Sequence, residues 1–178
     1  MPVPAGSGTR PAEALVIHRN GAGASRFDTA GRMMNHSQSQ TLFSYWESLR
    51  GNRIAPDRAD VEPRAIAPIL GDTFILERDM TGTLPFRLAG SRICSIFGRE
   101  MKGAAFLGGL RPDDLALVRH AVANVMEAPS GVLLTMTGTA ATGRTMALEA
   151  LILPLTHRGR LGSRLIGCLS AEEPPYWM

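Results

Sequence analysis

Pro85 to Gly103, PFRLAGSRICSIFGREMKG, reads as a short strand that stops at a glycine and hands over to a helix little longer than one turn. Phe86 and Leu88 alternate with Arg87 and Ala89, Gly90 ends the strand, and Ser91 stands where a helix cap is needed. Ile93, Ile96 and Phe97 then share one helical face until Gly98 ends it. A strand feeding short helices that lie across a sheet builds a small cavity. The stretch carries no nucleophile, metal cluster or phosphate loop, so it points to a binding module rather than a catalyst.

Upstream, Ser37 to Arg50 places Leu42, Tyr45, Trp46 and Leu49 at helical spacing, with Gly51 as the stop, which predicts an amphipathic helix outside the sheet. Asp60 is placed to cap a second short helix through Pro63, Ile66, Ile69 and Leu70, kinked by Pro68. Thr73 to Glu77 and Pro85 to Ala89 alternate and form a hairpin through the Gly82 turn. Downstream, Pro112 to Ala128 is the longest later helix: Pro112 suits its first turn, Asp113 and Asp114 suit the positive end of its dipole, and Leu115, Val118, Val122, Val125 and Met126 form its buried stripe. Three strands follow, Val132 to Thr139, Thr145 to Leu155 and Arg164 to Ser170, with a loop from His157 to Gly162 before the last. In the first of these the threonines 135 and 137 are expected to face outward. This order describes an α+β fold: a five-stranded antiparallel sheet with short helices and one long helix over one face, plus an N-terminal amphipathic helix.

The 178 residues with 44% apolar content suit one folded unit. Residues 1–36 are rich in Gly, Ala, Pro and Ser without periodicity and are expected to be disordered. The expected organisation is then a helical extension over 37–71, the sheet domain over 72–173 and a tail over 174–178. Met33 and Met34 directly precede the first patterned segment and mark a candidate natural start. Of the net charge of +3, most falls in the first thirty-six residues, where four arginines face two acids. The folded part mixes arginines with acids and has a single lysine, Lys102, so no basic patch suggests nucleic acid. No stretch is long and apolar enough for a secretory signal or a bilayer span, and the expectation is a cytoplasmic protein without a membrane partner.

The element order is that of a PAS sensory domain. Tyr45-Trp46 with Leu49-Arg50, Pro56-Asp57-Arg58, Val61-Glu62-Pro63, Leu70-Gly71-Asp72, Phe86-Arg87-Leu88-Ala89-Gly90, Phe97-Gly98-Arg99-Glu100 and Leu153-Pro154-Leu155 together resemble an alphaproteobacterial PAS family formerly labelled a domain of unknown function. The likeness covers roughly residues 40 to 178. It implies a cytoplasmic single-domain PAS protein of a family that includes regulators of motility and cell-cycle signalling, and it supplies no binding residues. In relatives the chain is expected to continue past Tyr176-Trp177-Met178, which leaves a C-terminal partner-binding tail open.

Haem-binding PAS domains place an axial histidine on the long helix, but His120 points away from the apolar stripe, which argues against haem. Flavin photosensors use a cysteine in an asparagine-cysteine-arginine motif that Arg92-Ile93-Cys94-Ser95 does not match, which argues against flavin. Cys94 reads first as a small core residue and second as a redox-sensitive thiol, and the burial of Cys168 stays open. His18, His36 and His157 are expected to be solvated, and no zinc spacing joins them to the cysteines. Ser95, His120 and Asp113 are the residue types of acyl transfer without a strained nucleophile turn, so the expectation is no enzyme.

What remains is recognition. Phe97, Val122, Met126, Leu134 and Met136 project toward shared space, either as a filled core or as a pocket for a small apolar or aromatic ligand. The stripe Leu42, Tyr45, Trp46 and Leu49 either covers the chain's own sheet or pairs with a second copy in a homodimer. The functional expectation is a sensory or regulatory module working through ligand- or redox-biased contact with a signalling protein; the alternatives are a dimerisation scaffold and, further off, a small-molecule-processing enzyme.

Overall fold

The computed structural model describes residues 16–19 and 25–26 as backbone strands and residues 34–128, 130–139 and 143–172 in full. The strands are β1 (Val16–Arg19), β2 (Ser25–Arg26), β3 (Thr73–Glu77), β4 (Phe86–Ala89), β5 (Val132–Thr139), β6 (Thr145–His157) and β7 (Arg160–Ala171). The helices are α1 (Ser37–Arg50), α2 (Ser91–Phe97) and α3 (Pro112–Glu127), with tighter turns at Arg58–Asp60, Pro63–Asp72 and Phe106–Gly109. All strand pairs are antiparallel, in the order β1-β5-β6-β7-β3-β4, with β2 also on β5.

The five expected strands are present, split two and three around the helical insert. Two corrections enlarge the sheet. Val16–Arg19 and Ser25–Arg26, within the segment expected to be disordered, pair with the outer edge of β5; the rest of residues 1–33 and the tail 174–178 lie outside the described residues. The loop expected from His157 to Gly162 shrinks to Arg158 and Gly159, both at positive φ (52° and 74°), the geometry of a two-residue hairpin turn, so β6 and β7 run further than their apolar cores alone suggest.

The sheet is covered on both faces. In β6, Leu148, Ala150 and Ile152 face α2 and α3, whereas Leu151, Leu153 and Leu155 face α1 and the 55–69 segment. The short helix α2 and the long helix α3 thus lie over one face, as expected, and the N-terminal helical extension covers the other. The near-continuous apolar run of β6 is what a strand buried on both sides requires. The same two-sided cover buries Leu133, and it leaves Thr135 and Thr137 half-buried rather than facing solvent.

The residues that carry the family resemblance prove to be fasteners of this second layer. Trp46 Nε1 donates to the Pro154 carbonyl at 2.7 Å, and the Glu62 amide donates to Tyr45 Oη at 2.8 Å. The Thr156 amide donates to the Pro56 carbonyl at 2.9 Å. Asp57 accepts from Ala59 N while Asp60 accepts from Asp57 N, a reciprocal capping box, so Asp60 completes the first turn instead of capping the second. The second turn is kinked at Ile66, ahead of Pro68. The buried Asp72 carboxylate takes both Nε (2.7 Å) and Nη2 (2.5 Å) of Arg92, tying that turn to α2. At the start of α1, buried Glu149 accepts from the amides of Asn35 (2.9 Å) and His36 (3.4 Å), placing a carboxylate at the helix's positive end.

Candidate ligand cavity

Helix α3 presents Leu115, Arg119, Val122, Ala123 and Met126 at three- and four-residue spacings, which puts them along one line of its surface. Opposite that line stands the turn between β3 and β4. Its shape is set by Asp79, which accepts from the amides of Thr81 and Thr83 (both 2.9 Å) and from both hydroxyls (2.7 and 2.5 Å), while Gly82 takes φ 82°. These four donors pull the Asp79 carboxyl down to about 2, the Thr83 hydroxyl most of all, so it is ionised throughout the neutral range. The third wall is the Phe106–Gly109 turn, hung on the end of the β3–β4 turn by the Phe106 amide donating to the Leu84 carbonyl at 3.0 Å. Phe106 is fixed by Phe74 and Phe86, with ring centroids 5.5 and 5.7 Å away.

Between these three walls lies a cavity of about 540 Å³. That is within the roughly 300–1,000 Å³ of small-molecule sites. Its interior is formed by Leu84, Phe106, Leu107, Leu115, Val122 and Met126, and its solvent-exposed rim by Arg78, Thr81, Gly82 and Arg119. A second cavity of about 560 Å³ lies on the other side of the same turn, and there Glu77 already bridges Arg164 (2.9 Å) and Arg87 (3.6 Å).

The sequence-derived pocket residues divide between cavity and core. Val122 and Met126 line the cavity; Leu134 and Met136 are packed into the core beneath it, and Phe97 sits half-buried at that core's edge without lining the cavity. Shared space thus exists but is shifted toward the hairpin turn. The residues that sequence reasoning missed are Arg78, Leu84, Phe106, Leu107, Arg119 and Ala123. Arg119 and Ala123 were legible as neighbours of the α3 stripe, whereas the turn residues meet α3 only through the fold.

Of the two placements open to the dimer-helix residues, cover for the chain's own sheet accounts for Leu42 and Trp46. Leu42 and Trp46 are 0% and 3% exposed against the chain's own sheet, and Tyr45 and Leu49 pack beside them in the same core. Within the chain that stripe covers β6 and β7, with Tyr45 and Leu49 half-buried at its margin. Among the acyl-transfer types, Ser95 Oγ donates to the Ser91 carbonyl at 3.0 Å, while His120 and Asp113 are exposed on α3. Among the described residues no group of three or more His, Cys, Asp and Glu gathers as a metal would require, and no helix is long and apolar enough to cross a membrane.

A family model described as a PAS domain matches residues 34–170. The chain belongs to the PAS domain family. Among solved structures, this PAS domain is similar to the PAS-B domain of Drosophila melanogaster Cycle with bound glycerol, at 16% identity and a TM-score of 0.44, covering 55% of this chain and 98% of that one. No curated protein matches.

The cysteines of this PAS domain lie in different cores on opposite sheet faces, so the fold offers them no internal disulfide. Cys168 is fully buried, and desolvation pushes its thiol up to about 12. Cys94 is half-buried, with Sγ 3.6 Å from Glu100 Oε1. The expected result with a thiol-reactive disulfide reagent at neutral pH is one labelled thiol per folded chain, Cys94, with Cys168 reacting only after denaturation; peptide mapping checks it.

Proposed function

We propose that this PAS domain is a sensory and regulatory module whose input is a small molecule held between α3, the β3–β4 turn and the Phe106–Gly109 turn, and whose output is an altered contact with a signalling protein. One observation carries this reading: an apolar cavity of about 540 Å³ stands beside the buried core, under walls that belong to three separate elements. A ligand that binds one arrangement of those walls more tightly than another shifts the population between them, which is all that a regulatory module needs. The catalytic alternative lacks support, because no nucleophile, base and orienting group converge on the cavity.

Ala123 lies half-buried on the α3 wall, so an indole at this position projects into the cavity and occupies its space. Gentle-condition native mass spectrometry of protein taken from its own cells is expected to show a bound small molecule in the parent and none in Ala123→Trp. Bare polypeptide in both samples contradicts a resident ligand. Affinity capture from the same cells with the two forms reads the output, and the expected result is a signalling partner whose recovery differs between them.

A further inference from the structure

We infer that the cavity takes a small amphipathic anion, an apolar body ending in a carboxylate, with Arg78 and Arg119 receiving the charged end. This rests on the reading of the cavity as the sensory site. Among the described residues no acidic side chain lines the cavity, while two guanidinium groups stand at its rim over apolar walls. Neither has a carboxylate partner among the described residues.

The neighbouring acids are already committed. Asp79 is held by the Thr81 and Thr83 amides and hydroxyls, and Glu77 is held by Arg164 and Arg87. The same bonds use up the rim's hydroxyl protons, which leaves the arginines as its strong donors. Arg78 Nη2 meets the Met126 sulfur at 3.2 Å, so a charged donor is aimed at the cavity floor and, among the described residues, engages a thioether there. A thioether is a weak acceptor, and a carboxylate oxygen displaces it readily. Arg119 stands one turn from both Leu115 and Val122 on α3, so its aliphatic stem runs along the apolar wall while its head reaches the rim. A cationic head group at this rim meets two like charges, and a neutral one forgoes the charge-assisted bonds.

Isothermal titration of the full chain with octanoate, 1-octanol and octylammonium separates these terms at constant apolar body. The expected order is octanoate tightest, octanol about tenfold weaker and octylammonium weakest, since hydrogen bonds to charged groups are about twice as strong as neutral ones. Arg78→Gln and Arg119→Gln, both exposed substitutions, each lower octanoate affinity by about tenfold and leave octanol unchanged. Ala123→Trp abolishes binding of all three. Equal binding of octanol and octanoate, or Gln variants that lose nothing, overturns the anion assignment while the cavity reading stands. Absence of binding by any of the three overturns both.

Discussion

Gly90→Ala is expected to destabilise the domain by about 3 kcal/mol or more, at or above the top of the usual overpacking range. A Cβ on Gly90 would stand 2.2 Å from the carbonyl oxygens of both Leu70 and Gly71. Both obstacles are main chain, so neither can rotate aside. The backbone of Gly90 has φ −69° and ψ 161°, which alanine adopts freely, so the penalty comes from the close approach and not from a forbidden conformation. Relief requires the strand–helix junction to move off the Pro63–Asp72 turn, and that motion pulls Arg92 from Asp72. In a domain of this size the loss lowers the melting temperature by about 6–12 °C. Gly108→Ala is the control, because its Cβ would meet only Ala105 Cβ at 3.8 Å. Calorimetric melts of the two variants check the argument, and similar melting temperatures would refute it.

Trp46→Ala is expected to cost about 3–5 kcal/mol, the range for removing a large buried aromatic. The indole is 3% exposed, donates to the Pro154 carbonyl, stacks on Phe43 at 6.4 Å and lies under the Arg50 guanidinium at 5.3 Å. Trp46→Phe keeps most of the packing but leaves that buried carbonyl without its donor, and about 1–3 kcal/mol is expected for it. Because the contacts are within one chain, the loss of stability must not depend on protein concentration. Chemical denaturation at two concentrations tenfold apart checks this. A midpoint that rises with concentration in the parent and not in the variant would instead make Trp46 part of an interface between copies.

Local signals made much of this fold legible. The limits of α1 followed from its apolar spacing and from Gly51, which takes φ 53° after the last turn, and β3 and β5 begin and end where alternation begins and ends. Gly98 ends α2 in the left-handed region, φ 62°, as its position suggested. The helix cap fell one residue earlier than expected, at Gly90 rather than Ser91. What was hidden depends on partners distant in sequence. Leu42 and Trp46 make an apolar stripe whether they meet a sheet or another copy, and the bond from the indole to the Pro154 carbonyl at 2.7 Å, made across 108 residues, has no local signal. Val16–Arg19 has no pattern of its own strong enough to announce a strand, and acquires one from the open edge of β5. The cavity was half-visible for the same reason: Val122 and Met126 lie on a helix whose face can be read, while Arg78 and Phe106 reach it from turns that no periodicity describes.

Recognition beneath α3 is tested most directly by methyl NMR of the full chain titrated with octanoate. Progressive shifts are expected at the methyl groups of Leu84, Leu107, Leu115, Val122 and Met126, with Leu42, Leu153 and Leu155 on the opposite sheet face unmoved. Shifts concentrated on that opposite face, or no shifts at any methyl at saturating octanoate, would contradict it.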